Sequence, residues 1–350
     1  MLWYRRCRRD LPWRSDRPDP YHVLVSETML QQTQVATVIA YFHRFIAALP
    51  TVEALAAADE LRVLRLWQGL GYYRRARHLH AAARCIVQQH GGKMPTTAAE
   101  LNKLPGVGRY TAAAVASIAF GQQAAVLDGN VARVLARWCA IDQPIDDAAV
   151  KTQLWSIAES LVPKRHPESP GSPGDHNQAV MELGALICTP RQPKCSICPV
   201  ATLCEANAQG RADALPVRRQ RRKPTATTHH IVAVRRGGKL LFEQRPADGL
   251  WANMWQMPTA ESTDESDLPA WLTQHAGVTT SKLKRIDSFT HQTTHRTIEF
   301  VVWSAATPRG KLKRGTWRHP NDVDDLPLPN PQHKALHLIT PASPLPAQAR

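Results

Sequence analysis

Glu27 and Asp128 are the two acids whose surroundings in the chain could give them chemistry. Val23, Leu24, Val25, Met29 and Leu30 flank Glu27. A carboxyl group among such neighbours either pairs with a cation or is pushed up in pKa by desolvation, which makes it a proton donor near neutral pH. Asp128 closes a stretch that reads as helix, tight turn, helix and then carboxylate. In that turn, Leu104-Pro105-Gly106-Val107-Gly108, the two glycines let the backbone bend and present bare N–H groups at a helix N-terminus, where the macrodipole favours an anion such as phosphate. An ordinary helix–helix turn is the plainer reading of the same residues. Cys188, Cys195, Cys198 and Cys204 fall within seventeen residues, with gaps of six, two and five. Only one pair is close, whereas a zinc knuckle usually brings two. The longer arms suit four thiolates around a cubane [4Fe-4S] cluster, and zinc stays open as the second reading. Cys7, Cys85 and Cys139 are scattered and read as small buried hydrophobes.

A scaffold has to hold these groups, and most of it reads as helix. Apolar residues recur at helical spacing over 21–30, 35–49, 59–68, 74–89, 98–104, 111–120, 130–139, 148–161 and 178–187. Thr97 with Glu100 forms a capping box at the start of the helix before the turn. Pro50, Gly69, Gly71, Gly91, Gly92, Pro95, Pro105 and Gly121 supply breaks, and 163–174 reads as a Pro/Gly/Ser loop. From 205 to 228 the chain is polar and then basic, with Arg218, Arg219, Arg221, Arg222 and Lys223 before Pro224. It reads as a solvated linker that can add salt-sensitive contacts to a polyanion or dock other proteins. Beyond it, 230–235 reads as an alternating strand, Gly237-Gly238 as a hairpin turn, and 239–244 and 298–303 as strands. Helices at 268–275 and 331–337 make this part α+β, and the proline-rich end, 341–350, reads as a disordered tail.

Composition narrows the partner. The 350 residues hold 44 Lys plus Arg against 29 Asp plus Glu, a formal charge of +15. Such an excess predicts a polyanionic partner, with a membrane surface or plain solubility as the alternatives. MLWYRRCRRDLPW at the start has no apolar run fit for a signal peptide or a transmembrane helix, so a cytoplasmic protein without a membrane partner is expected. In a reducing cytosol the seven cysteines are expected as core residues, ligands or catalysts rather than disulfides.

Several motifs carry a family resemblance. Leu-Pro-Gly-Val-Gly followed by Arg109, Tyr110 and Thr111, with Asp128 beyond, resembles the helix-hairpin-helix and aspartate of the endonuclease III superfamily of DNA glycosylases. The stretch Ser26-Glu27-Thr28-Met29-Leu30-Gln31-Gln32-Thr33, together with Trp13-Arg14 and Gly71-Tyr72-Tyr73, is similar to its adenine-specific, MutY-type branch. So is the cysteine spacing after His176, Asn177 and Gln178. The resemblance implies a base flipped out of duplex DNA, Glu27 as general acid at N7 of adenine, and Asp128 stabilising the sugar cation. It further implies that Tyr110 and Asn130 orient Asp128 or its sugar adduct, that Gln31 and Gln32 wedge the gap left by the base, and that Tyr72 slides beside the partner base. Gly106 and Gly108 would grip the DNA backbone, and Arg14 would stand at the pocket. Bifunctional relatives place a lysine where this chain has Tyr110; a phenol cannot form a Schiff base, so base removal without strand cleavage is expected.

The C-terminal part has its own resemblance. Residues 249–258, GLWANMWQMP, are similar to the GLWxxLWEFP segment of the family's Nudix-like domain. Phe289-Thr290-His291 matches its Phe-Ser-His loop for 8-oxoguanine, with Thr290 in place of serine. No Nudix box of metal-binding carboxylates follows Pro258, so pyrophosphohydrolase activity is not expected. The resulting expectation is an all-α helix-hairpin-helix glycosylase domain at 1–205, with the hairpin at about 97–120 and the iron–sulfur loop at 188–204. A basic linker at 206–228 and a smaller α+β Nudix-like lesion-recognition domain at 229–340 follow. The expected substrate is double-stranded DNA with an A:8-oxoguanine mispair, met by a monomer carrying one [4Fe-4S] cluster. A bifunctional glycosylase-lyase and a non-enzymatic lesion-binding protein are the competing classes.

Overall fold

The computed structural model of the chain describes residues 1–164, 172–219, 224–261, 263–280, 282–293, 295–306, 308–323 and 325–340. Most of the expected 163–174 loop, the basic residues Arg221, Arg222 and Lys223, and the expected disordered tail at 341–350 lie outside these residues. Two compact units are present: Met1–Ala58 with Arg75–Arg221, and Asp59–Arg74 with Arg222–Arg350.

The first unit is helical. It holds α1 (Leu2–Cys7), α2 (Pro20–Leu30), α3 (Val35–Ala48) and α4 (Val52–Ala57). After α5 (Glu60–Trp67), which belongs to the second unit, come α6 (Arg74–His90), α7 (Ala98–Leu101), α8 (Arg109–Phe120) and α9 (Gly129–Trp138). Then follow α10 (Ala148–Leu161), α11 (Pro173–Leu186) and the single turn α12 (Glu205–Ala208). Asp19 caps α2, its Oδ1 accepting from the N–H groups of Tyr21 (2.7 Å) and His22 (3.2 Å), and Pro20 pre-sets the first turn. From Tyr21 to Met29, apart from half-buried His22, α2 is buried on all sides, packed against α3 and α8. A helix in that position leaves any acid on it away from water.

Three local expectations need correction. α11 begins at Pro173 rather than 178, because Ser172 and Asp175 form a capping box and Pro173 takes the N1 position where its missing N–H costs nothing. The supposed solvated linker starts as structure: α12 is helical, Leu215 is buried, Ile145 N–H donates to Val217 O (3.0 Å) and Arg219 pairs with Asp147 (2.6 Å). Cys7 and Cys139 are exposed and Cys85 is half-buried, so the scattered cysteines are not core residues; Cys7 ends α1 and Cys139 caps α9, where helices meet solvent.

The second unit is a mixed sheet between helices. Its strands are β1 (Thr225–Arg236), β2 (Lys239–Gln244), β3 (Trp255–Gln256), β4 (Thr259–Glu261), β5 (Leu283–Gln292), β6 (Arg296–Ala305) and β7 (Thr316–Arg318). Among the described residues the order is β3-β2-β1-β6-β5, with β4 on β1 and β7 on β2; β1 and β6 run parallel and the other pairs antiparallel. α13 (Leu268–Ala276) covers one face against Val232, Val234 and Val301, while α14 (Asn330–Ile339) covers the other against Ile231, Ala233 and Phe300. The centre of β1 is therefore buried on both faces rather than alternating, as a strand flanked by helices on both sides must be. Within this unit α5 is held by Arg65–Asp325 (3.2 Å) and by Asn253 Nδ2 donating to Glu60 Oε1 (2.8 Å). No helix among the described residues is long and apolar enough to cross a membrane.

Candidate active site

Glu27 and Asp128 line one cleft of about 1470 Å3, counting its open mouth, together with Arg14, Gln31, Gln32, Tyr110 and Asn130. α2 carries Glu27 into it, and the start of α9 carries Asp128. Burial raises the Glu27 pKa to about 7; the Tyr110 hydroxyl, which donates to Glu27 Oε2 at 2.7 Å, opposes that rise without cancelling it. Among the described residues no cation is hydrogen-bonded to this carboxyl. Burial likewise holds the Tyr110 phenol well above its ordinary value, so it acts as a donor. Tyr110 is bonded to Glu27 rather than to Asp128, and its oxygen also lies 3.2 Å from Met181 Sδ.

Asp128 is the N-cap of α9. Its Oδ1 accepts from the N–H groups of Asn130 (3.0 Å) and Val131 (2.7 Å), and its Oδ2 accepts from Asn130 Nδ2 (3.0 Å). Burial raises its pKa, and these three donors, with the Arg133 charge, pull against the rise. The two acids thus differ in kind: one is held by a single neutral hydroxyl, the other by a helix start that favours the anion.

Glu182 is a third carboxylate of the cleft, whose role sequence reasoning missed. It is 1% exposed and accepts from Arg9 N, Nε and Nη2 and from Arg14 Nη2, all at 2.9 Å. Burial alone would raise its pKa, yet the two guanidinium groups hold it at about 2. Arg14, expected at the pocket as a DNA contact, lines the cleft with its charge spent on Glu182 and one N–H on Arg9 O (3.0 Å). Glu182 lies in an apolar helix just as Glu27 does, and that shared signal could have found it.

Gln31 and Gln32 follow the end of α2. Gln31 Nε2 donates to Thr111 Oγ1 (3.3 Å), while Gln32 is exposed and takes a left-handed φ of 58°, a costly conformation for a residue with a Cβ. Arg75, buried and also missed, clamps this end by donating to the carbonyls of Thr28 (3.0 Å) and Met29 (2.8 Å) and to Thr33 Oγ1 (3.1 Å). In the hairpin, Thr97 Oγ1 accepts from Glu100 N–H (3.2 Å) as the capping box predicts, but α7 stops at Leu101. Gly106 takes φ 72° with His78 against it: a Cβ there would meet His78 Cβ at 2.3 Å. Gly108 starts α8 with no side-chain cap, which leaves the first turn suited to an anion. Tyr72, in the second unit, is 49% exposed with φ 49°.

The four cysteines line one small cavity of about 30 Å3. They surround it rather than converge on a point; among the described residues no three His, Cys, Asp or Glu form a group fit for a single metal ion. A run of hydrogen bonds connects this loop to the cleft. Arg133, on the same face of α9 as Asn130, donates Nη2 to Asn130 Oδ1 (2.9 Å) and Nε to the Cys188 carbonyl (2.7 Å). Gly184 permits α11 to pass here, since a Cβ would meet Asn130 Cβ at 2.8 Å. Phe289, Thr290 and His291 are not a loop: they form part of β5, paired with Phe300, Glu299 and Ile298 of β6. Strand alternation puts Phe289 and His291 against Phe300 on the inner face and leaves Thr290 exposed on the other.

Residues 25–160 match the family described as HhH-GPD superfamily base excision DNA repair protein, residues 188–204 the iron-sulfur binding domain of endonuclease III, and residues 230–338 the NUDIX domain. The adenine DNA glycosylase of Homo sapiens is 39% identical over 365 residues, covering 87% of this chain and 66% of the human protein. That of Buchnera aphidicola subsp. Schizaphis graminum is 31% identical over 345 residues, covering 97% of each. The chain belongs to the adenine DNA glycosylase family. It is a DNA glycosylase with an iron–sulfur binding motif, built as a helix-hairpin-helix domain followed by a Nudix-like one. Among solved structures, a thermostable thymine-DNA glycosylase is 32% identical with a TM-score of 0.52, covering 59% of this chain and 93% of that one.

Proposed function

We propose that the protein, as a monomer, removes adenine mispaired with 8-oxoguanine, or with guanine, from double-stranded DNA and leaves the backbone intact. The observation that carries this reading is Glu27: buried, bonded by a neutral phenol, with a pKa near 7 and in one cleft with Asp128. A flipped adenine leaves as a neutral base when Glu27 protonates N7, while ionised Asp128 faces the cationic sugar. Tyr110 holds one Glu27 oxygen, so the other can carry the proton. Asn130 fixes Asp128. Gln31 and Gln32 fill the space left in the duplex, the hairpin at Gly106 and Gly108 takes a backbone phosphate, and Tyr72 meets the partner base. Arg109 offers no amine for a Schiff base: its guanidinium stacks 3.7 Å over Trp155 and pairs with Glu159 at 2.5 Å. Phe289, Thr290 and His291 serve recognition of 8-oxoguanine, with exposed Thr290 as the accessible hydroxyl. Cys188, Cys195, Cys198 and Cys204 hold a [4Fe-4S] cluster, whose four-iron cube suits thiols spread around a cavity.

Base release under single-turnover conditions tests the assignment, with adenine opposite 8-oxoguanine, guanine and thymine in otherwise identical duplexes. Release should be fastest opposite 8-oxoguanine, slower opposite guanine and absent opposite thymine, with no adduct trapped by borohydride. A trapped adduct would favour the lyase class, and tight binding without release the lesion-binding class. Purified protein should also carry about four irons per chain and a broad brown absorbance, and Cys198→Ser should lower the yield of folded protein. Stoichiometric zinc without iron in anaerobic preparations would refute the cluster.

A further inference from the structure

Arg137 is one of the largest fully buried side chains of the protein, 1% exposed, and it lines the cavity formed by the four cysteines. Its Nη1 donates to Cys188 Sγ (3.2 Å) and Thr189 O (2.7 Å), its Nε to Leu215 O (2.8 Å) and its Nη2 lies 3.5 Å from Pro190 O. Every oxygen in that set is a neutral carbonyl. None is a carboxylate. A guanidinium cannot shed its proton, and a buried cation without a counter-charge is strongly destabilising. The negative charge that balances it must therefore come from the sulfur side, where Cys188 already lies within hydrogen-bond distance. Arg133 also feels the charge at Cys188, but its hydrogen bond there goes to the backbone carbonyl rather than the sulfur, and it has Asp128 as a second counter-charge.

We infer that Arg137 is the internal counter-charge of the metal group held by the four cysteines, a positioning residue that stabilises the loaded site and sets its reduction potential through an N–H···S bond to Cys188. This inference rests on the iron–sulfur reading above. Four thiolates around a cube leave the whole assembly anionic, so a buried cation beside one sulfur favours the loaded site over the empty one. It also favours the more reduced of two cluster states, because that state is the more negative.

The test uses full-length holoprotein, with Arg137→Met as a neutral replacement and Arg137→Lys as a charged one. Iron content, midpoint potential by film electrochemistry, and the rate of cluster bleaching with chelator present are measured for each. Arg137→Met should shift the potential to more negative values and bleach about 10-fold faster or more. Arg137→Lys should keep a potential near that of the parent protein and bleach more slowly than the Met variant. If Arg137→Met does not load, a loaded Arg137→Lys with unaltered potential supports the charge as the requirement. Loss of both variants alike would overturn it in favour of a purely steric role, and so would iron-replete Arg137→Met with unchanged potential. Iron analysis of the parent protein separates the two readings: no iron there removes the cluster, whereas iron with an unmoved potential removes only the role of Arg137.

Discussion

Glu27→Gln will bind mispaired DNA as the parent does but release adenine at least ~100-fold more slowly, the lower end of what a general acid contributes. The amide matches the protonated acid in shape and can still accept the Tyr110 hydroxyl that lies 2.7 Å from Glu27 Oε2, so the cleft should keep its form. It has no proton to give. The pH dependence follows from the same group. With a folded pKa of about 7, Glu27 is protonated below neutrality and loses its proton above it, so the single-turnover rate should fall as pH rises through about 7. In Glu27→Gln that alkaline limb should vanish. Stability supplies an independent check. The folded pKa lies above the unfolded value, so the native state binds the proton more tightly and stability is lost as pH rises from the unfolded pKa to about 7. Gln carries no such cost, and the variant should therefore melt higher than the parent at pH 8, with the gain shrinking toward pH 5. A variant that excises normally, or that melts lower by the same margin at both pH values, is incompatible with a buried neutral acid at position 27.

The sequence already held both outcomes for such an acid, and the difference between Glu27 and Glu182 explains why it could not choose. Each lies in an apolar helix, yet Glu182 is met by Arg9 and Arg14 from the far end of the chain, while Glu27 is met by a phenol from α8. Partners that distant in sequence leave no local trace. The helices themselves were legible because apolar spacing is local: α10 spans 148–161 as its pattern predicts, and β2 spans 239–244. Errors arose where one residue type carries two meanings. Pro173 and Gly174 read as breakers although proline also opens helices, and 205–219 read as tether because its polarity hides the buried Leu215 and the hydrogen bond from Arg137. Asn130 and Arg133, three apart on α9, could have been paired from spacing alone. That Arg133 also touches the cysteine loop depends on how α9 packs on α11.

Asp128→Asn is the second change with a large expected effect, and here loss of charge can be separated from loss of structure. Asn is as good an N-cap as Asp, so its Oδ1 can keep the N–H groups of Asn130 and Val131 and α9 should still begin at Gly129. The other oxygen becomes an NH2 facing Asn130 Nδ2, donor against donor. Asn130 cannot simply flip to relieve this, because its Oδ1 is taken by Arg133 Nη2 at 2.9 Å. One hydrogen bond is lost in the fold, a cost on the order of 1 kcal/mol. Catalysis should suffer far more, by about 100- to 1000-fold, as when a preorganised group aimed at developing charge is removed. The fall should not appear in binding to duplexes with a neutral abasic sugar analogue. It should appear in binding to a cationic, pyrrolidine-type analogue, which only an anion at position 128 favours over the neutral one. Asp128 also has a raised pKa, so in the parent this preference should fade as acid protonates the carboxylate, at a pH above the ordinary aspartate range. If Asp128→Asn keeps the preference for the cationic analogue, the anion that stabilises the sugar lies elsewhere, and the division of labour between the two acids fails with it.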